Sequence, residues 1–185
     1  NSPLEERFTG HIGSPIPGTD IVILNDDEVA LPQGSVGEIC IKGPQVMAGY
    51  WNKPEETRNC MTADGFFKSG DIGLITPEGY VQIVDRKKDM IVVAGFKVFP
   101  NDVEDVLSQM PGIRECAVIG ESHRKLGEIV KVYVVRTDHH LTEAAVMQYC
   151  KEHLTSYKRP RKVIFVNDLP KSNVGKILRR ELRNI

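Results

Sequence analysis

The chain has 185 residues, 41% hydrophobic and 26% charged, with a formal net charge of −1. That is ordinary for a soluble globular protein, long enough for one real core or two small ones, and its charge argues against a general nucleic-acid binder. Cys40, Cys60, Cys116 and Cys150 form no CxxC pair, which excludes the usual zinc spacings and a dense disulfide frame and points to single reduced thiols in a cytosolic protein.

In chain order, Asn1-Ser2-Pro3-Leu4-Glu5-Glu6 is polar, lacks an initiator Met and has no signal-peptide character, so a piece of a longer protein is expected. Ile21-Val22-Ile23-Leu24 predicts a strand and Asn25-Asp26-Asp27-Glu28 a hairpin turn. Glu38-Ile39-Cys40-Ile41-Lys42 alternates as a half-buried strand does. Lys53-Pro54-Glu55-Glu56-Thr57 predicts a helix start. Asp71-Ile72-Gly73-Leu74-Ile75, the turn Thr76-Pro77-Glu78-Gly79 and Tyr80-Val81-Gln82-Ile83-Val84 predict a hairpin. The dense Gly and Pro fit a small, distorted barrel-like β unit.

Asp85-Arg86-Lys87-Lys88-Asp89 is five charges in a row, too polar for a strand buried on both faces. It is read as an exposed connector between a β-rich region 1–87 and a mixed α+β domain 88–185. Beyond it, Met90-Ile91-Val92-Val93 predicts a strand, Ala94-Gly95 a turn and Lys97-Val98-Phe99 the return. A helix over 101–110 puts Val103, Val106, Leu107 and Met110 on one face. Strands follow over 115–119 and 129–135, then a helix capped by Thr142, a strand over 162–166 and a short last helix over 176–182. His139-His140 reads as surface. From Lys151 onward ten Lys or Arg face three acids, a basic tail that can meet phosphates or simply be a solvated face. There is no Walker loop, no GxGxxG and no metal signature.

Three clusters stand out, and each has an ordinary alternative. Lys68-Ser69-Gly70-Asp71 places a carboxylate after a Gly at a strand entrance, where it can accept bonds from a vicinal diol or simply sit in a turn. The connector leading into Val93-Ala94-Gly95-Phe96-Lys97 is a joint for a moving loop or a plain linker and hairpin. In Pro170-Lys171-Ser172-Asn173-Val174-Gly175-Lys176-Ile177-Leu178-Arg179-Arg180, Gly175 frees the backbone and Lys176 sits at a helix start. There it can meet an anion or be one more solvated lysine.

Taken together, these segments resemble the adenylate-forming superfamily of acyl-CoA synthetases, luciferases and peptide-synthetase adenylation domains, over essentially the whole chain. Gly65-Phe66-Phe67-Lys68-Ser69-Gly70-Asp71 resembles the family's ribose-binding motif. Asp85 to Asp89, with Gly95, Pro100 and Glu104, resembles its hinge motif, and 170–180 its terminal motif. The wording of Gly43-Pro44-Gln45-Val46-Met47-Ala48-Gly49-Tyr50-Trp51 and of Leu169-Pro170-Lys171-Ser172-Asn173-Val174-Gly175-Lys176 is most similar to bacterial long-chain fatty acid–CoA ligases. Asp85 stands where the family often has Gly, Phe66 where Trp is common, and Ser69 where Thr is common.

The resemblance implies an α+β fold and a C-terminal portion of a ligase that joins a fatty acid to CoA through an acyl-adenylate, releasing AMP and pyrophosphate. It implies Lys176 as the catalytic lysine, Asp71 and Arg86 as nucleotide-binding residues, Lys88 as hinge, and Gly95, Phe96 and Lys97 as the CoA-side loop. ATP/AMP with Mg and CoA would serve the full-length enzyme, with no metal site within this chain. Its partners would be fatty acid, ATP, CoA and its own missing N-terminal domain, not nucleic acid. The location implied is cytoplasmic, with room for peripheral attachment to the inner face of the membrane. The chain alone is expected to be catalytically inert. A non-catalytic module binding CoA, an acyl carrier or a protein, and a superfamily ligase for aryl or short-chain acids, remain open.

Overall fold

The computed structural model describes residues 10–184, so the polar stretch over residues 1–6 lies outside the described residues. The chain divides into two compact units, one ending at Lys88 and one starting at Asp89.

In the first unit β1 (Asp20–Leu24), β2 (Gly37–Lys42), β3 (Phe67–Ile75) and β4 (Val81–Arg86) form an antiparallel sheet in that order. The sheet is open: no β4–β1 pairing closes it into a barrel among the described residues. Ile23, Ile39 and Val81 form its core, with Ile21, Leu31, Ile41 and Ile75 packed against them. Gly73 is required by space, because a Cβ there would stand 2.3 Å from the Gln82 carbonyl oxygen and 2.6 Å from Ile39 Cδ1. A short helix α1 (Pro54–Asn59) opens with Pro and two acids in its first turn, and it lies between β2 and β3 in the chain.

The expected turn after β1 exists, but it is not the β1–β2 hairpin. Asn25 Oδ1 accepts from the backbone N–H of Asp27 and of Val29 at 2.9 Å each. The chain returns only as far as a bridge between Leu24 and Ala30, and β2 starts at Gly37. The alternation read in β2 also fails, since Glu38, Ile39 and Cys40 are all buried. The charged connector is likewise only partly exposed. Asp85 is buried within β4, and Lys87–Asp89 forms a single 3-10 turn.

In the second unit β8 (Gly127–Arg136) is central. Along one edge it pairs with β7 (Ile113–His123). Along the other it meets β5 (Ile91–Val93) at Val93↔Gly127 and then β9 (Lys162–Phe165) in parallel. β6 (Phe96–Val98) continues the sheet beyond β5. Side chains alternate across β7 and β8, and both faces are covered. Cys116, Val118, Val130, Val132 and Val134 pack with Val103 and Leu107 of α2 (Pro100–Ser108) and Val146 and Cys150 of α3 (Glu143–His153). Ala117, Ile119, Tyr133 and Val135 pack with Leu169 and with Leu182 of α4 (Arg179–Leu182). Two buried faces explain why both strands read as nearly unbroken apolar runs. Thr142 caps α3 as expected, its side chain accepting from Ala145 N–H at 3.2 Å.

The last helix is shorter than expected. It starts at Arg179, so Lys176 stands in a loop and not at a helix start. Ser172 and Gly175 account for this. The Ser172 hydroxyl accepts from Lys176 N–H at 3.2 Å and Gly175 adopts φ +79°, closing a turn that competes with helix. The four cysteines are free thiols. Burial pushes Cys40 and Cys150 up to about 11 and Cys116 up to about 12.

Candidate functional site

Asp71 lies inside β3, not at a strand entrance, and an irregularity in the sheet sets its direction. Between Glu38 and Cys40 the β2–β3 register shifts, and local side-chain bonds replace the missing ladder. Gly70 takes φ +75° and donates its N–H to Glu38 Oε1 at 3.2 Å. Ser69 Oγ donates to the Ile39 carbonyl at 2.7 Å and accepts from Asp71 N–H at 3.1 Å. A bulge of this kind re-aims the following side chain. Across β4, Asp71 stands opposite Arg86 in the register, with Arg86 Nε 3.5 Å from Asp71 Oδ1. Their side chains are 30% and 61% exposed, so both can still reach a ligand.

These residues border a cleft of about 490 Å³ lined by Ser69, Gly70, Asp71, Arg86, Lys87 and Lys88. Three cations and one carboxylate around an open cleft suit an anionic ligand that also carries hydroxyls. Beneath it, Glu38 Oε2 accepts from Lys87 Nζ at 2.8 Å, and this bond pushes Lys87 above the usual lysine range. Glu38 escapes sequence reading because a Glu in an alternating strand looks solvent-facing. Among the described residues, no group of three or more His, Cys, Asp or Glu is placed to hold a metal ion.

The second unit carries the other predicted residues on two loops. The β5–β6 turn holds Ala94 at φ +49° and Gly95 at φ +87°, with Phe96 and Lys97 exposed after it. Phe96 stacks on Tyr157 with ring centroids 4.8 Å apart. Lys176 is exposed near the tip of the loop that precedes α4. The stem of that loop is held by a contact the sequence did not reveal. Arg179 donates to both oxygens of Glu104, Nε at 3.1 Å and Nη2 at 2.7 Å, and Nη2 also reaches Asn101 Oδ1 at 2.7 Å. Glu104 and Arg179 both fall within motifs noted above, but 75 residues separate them and no local pattern pairs them. A larger cleft of about 800 Å³ beside α3, bordered by Thr142, Met147, Gln148, Lys151 and Arg159, contains none of the predicted residues.

The family described as AMP-binding enzyme matches residues 1–51, and the one described as AMP-binding enzyme C-terminal domain matches residues 102–176. A long-chain-fatty-acid–CoA ligase of Escherichia coli O6:H1 is 49% identical over 179 residues, 97% of this chain and 32% of that protein. The chain belongs to the AMP-binding enzymes. Among solved structures, ATP-bound MatB from Rhodopseudomonas palustris is similar with a TM-score of 0.91 and 40% identity, covering 97% of this chain and 36% of that one. An o-succinylbenzoate CoA synthetase from Bacillus subtilis, in complex with the acyl-adenylate intermediate OSB-AMP, gives 0.82 and 32% identity over 94% and 35%. The chain thus spans about a third of the length of the AMP-binding enzymes it matches. No helix among the described residues is long and apolar enough to cross a membrane.

Proposed function

We propose that this chain is the C-terminal part of an ATP-dependent fatty acyl-CoA synthetase, which converts fatty acid, ATP and CoA to acyl-CoA, AMP and pyrophosphate through an acyl-adenylate. The observation that carries the reading is the placement of Asp71 beside Arg86 on one open cleft. A carboxylate with two acceptor oxygens suits a ribose diol, and a guanidinium beside it suits the adjoining phosphate. The likeness to long-chain-fatty-acid–CoA ligases supports a fatty acid as the acyl group.

In this reading Asp71 and Arg86 hold the nucleotide through both half-reactions. Lys176 supplies positive charge where the carboxylate oxygen attacks the α-phosphorus and pyrophosphate departs. Its contribution is electrostatic, through a positioned cation meeting charge that develops in the transition state. Lys88 is the hinge. Rotation about it withdraws Lys176 and brings Gly95, Phe96 and Lys97 beside the incoming thiol, which displaces AMP from the acyl carbon. Mg accompanies ATP in the full-length enzyme. In this reading the full-length enzyme works in the cytoplasm, with room for peripheral attachment to the inner face of the membrane.

The test separates the half-reactions in the full-length enzyme. Lys176→Ala is expected to lower fatty-acid-dependent pyrophosphate exchange by about 10²–10³-fold. Thioester formation from synthetic acyl-adenylate and CoA should be largely kept. Equal loss in both halves sinks the role assigned to Lys176.

A further inference from the structure

We infer that Arg179 is a positioning residue that aims Lys176, by fixing the stem of its loop to α2 and to the first residue of the second unit. The inference rests on the role proposed above for Lys176. The loop is internally closed: Lys171 bridges Ile177, Ser172 N–H donates to the Lys176 carbonyl at 2.8 Å, and Leu178 N–H donates to the Pro170 carbonyl at 2.8 Å. A closed loop turns as one piece, so the direction of Lys176 is decided at the stems.

One stem is held by Lys171, whose Nζ donates to Glu115 Oε2 on β7 at 2.9 Å. The other is held by the Arg179 fork on Glu104 and Asn101. Both members of the Arg179–Glu104 pair are only 18% exposed, so it is less screened by water than a surface pair. Glu104 is itself held, since its Oε1 accepts from Val118 N–H on β7 at 2.8 Å.

Docking of α4 has other support. Leu182 is buried at 1% exposure, and the Tyr133 hydroxyl donates to the Leu182 carbonyl at 3.1 Å. The fork therefore adds orientation at the end of α4 nearest Lys176. It also reaches the connector. Asp89 lies 3.8 Å from Arg179 Nη1, and its Oδ1 accepts from Arg183 at 3.0 Å. The residue following Lys88 is thus tied to Arg179 at the start of α4 and to Arg183 just beyond its end, so motion at the connector carries Lys176 with it. A lysine cannot replace this arrangement, because an ammonium lacks the planar fork that meets several acceptors at once.

In the full-length enzyme Arg179→Lys is expected to lower kcat for fatty-acid-dependent pyrophosphate exchange by about 10–100-fold, as misplacement near 1 Å does. The KM for ATP should stay near wild type, as should thioester formation from synthetic acyl-adenylate. Unchanged pyrophosphate exchange overturns the inference, and so does equal loss of both half-reactions, which marks a merely structural arginine. If Arg179→Lys does not fold, Glu104→Gln carries the same expectation, because it keeps an acceptor for Val118 N–H. Lys176→Ala runs alongside. If that variant keeps adenylation, the reading of Lys176 fails and takes the inference with it. If only the Arg179 and Glu104 variants keep adenylation, the inference alone fails.

Discussion

At the residue scale, Glu38 shows how a support for the candidate site is built. It is 7% exposed, and its carboxylate accepts from Lys87 Nζ on one oxygen and from Gly70 N–H on the other. Through Gly70 it holds the bulge that directs Asp71. Glu38→Ala removes both acceptors and is expected to cost about 1–3 kcal/mol of stability, measured by urea unfolding. The bond from Glu38 raises Lys87 above the ordinary lysine range. The contribution of that pair is therefore complete below pH of about 10.4 and is lost as pH rises through the higher folded value. The gap between wild type and Glu38→Ala should narrow in that alkaline window. A gap that does not change with pH would show that the ion pair contributes nothing.

At the element scale, the β5–β6 turn has both central residues in the left-handed region, the requirement of a tight hairpin whose twist matches its strands. A Cβ added at Gly95 meets nothing within 4 Å, so the penalty for a side chain there comes from the backbone and not from a clash. Gly95→Val is expected to destabilise by about 1–2 kcal/mol, read by thermal or urea unfolding. In the full-length enzyme the same change should slow CoA-dependent release of AMP from synthetic acyl-adenylate while sparing pyrophosphate exchange. Unimpaired CoA-dependent turnover would remove the loop from the thiol path. The loop before α4 teaches the opposite lesson about elements. Gly175-Lys176 followed by apolar and basic residues reads as a helix start, but the Ser172 hydroxyl captures the Lys176 N–H and helix waits until Arg179.

At the scale of the whole molecule, the chain spans about a third of the AMP-binding enzymes it matches. The proposed reaction also needs a place for the acyl chain, the adenine and the departing pyrophosphate, and the motifs found here account for none of the three. The purified 185-residue chain is therefore expected to form no thioester from ATP, CoA and a long-chain fatty acid under conditions where the full-length enzyme does. ATP- and fatty-acid-dependent thioester formation by the chain alone would refute that division of labour. Among the described residues, each unit has its own apolar clusters, one in the first and two in the second.

The sequence by itself determined most of the strands, the two longer helices, the Ala94-Gly95 turn and the clusters holding Asp71, Arg86, Lys88, Gly95 and Lys176. These depend on local chemistry: apolar periodicity, a Thr cap, and Gly where φ is positive. Only the tertiary structure decided that Glu38 and Asp85 are buried, that Asp71 faces Arg86 across a shifted register, and that Arg179 grips Glu104. Burial depends on which distant segments cover a strand, register depends on bulges, and a fork between α2 and α4 closes only after a sheet has brought both helices together. None of these leaves a periodic trace in its own stretch of chain.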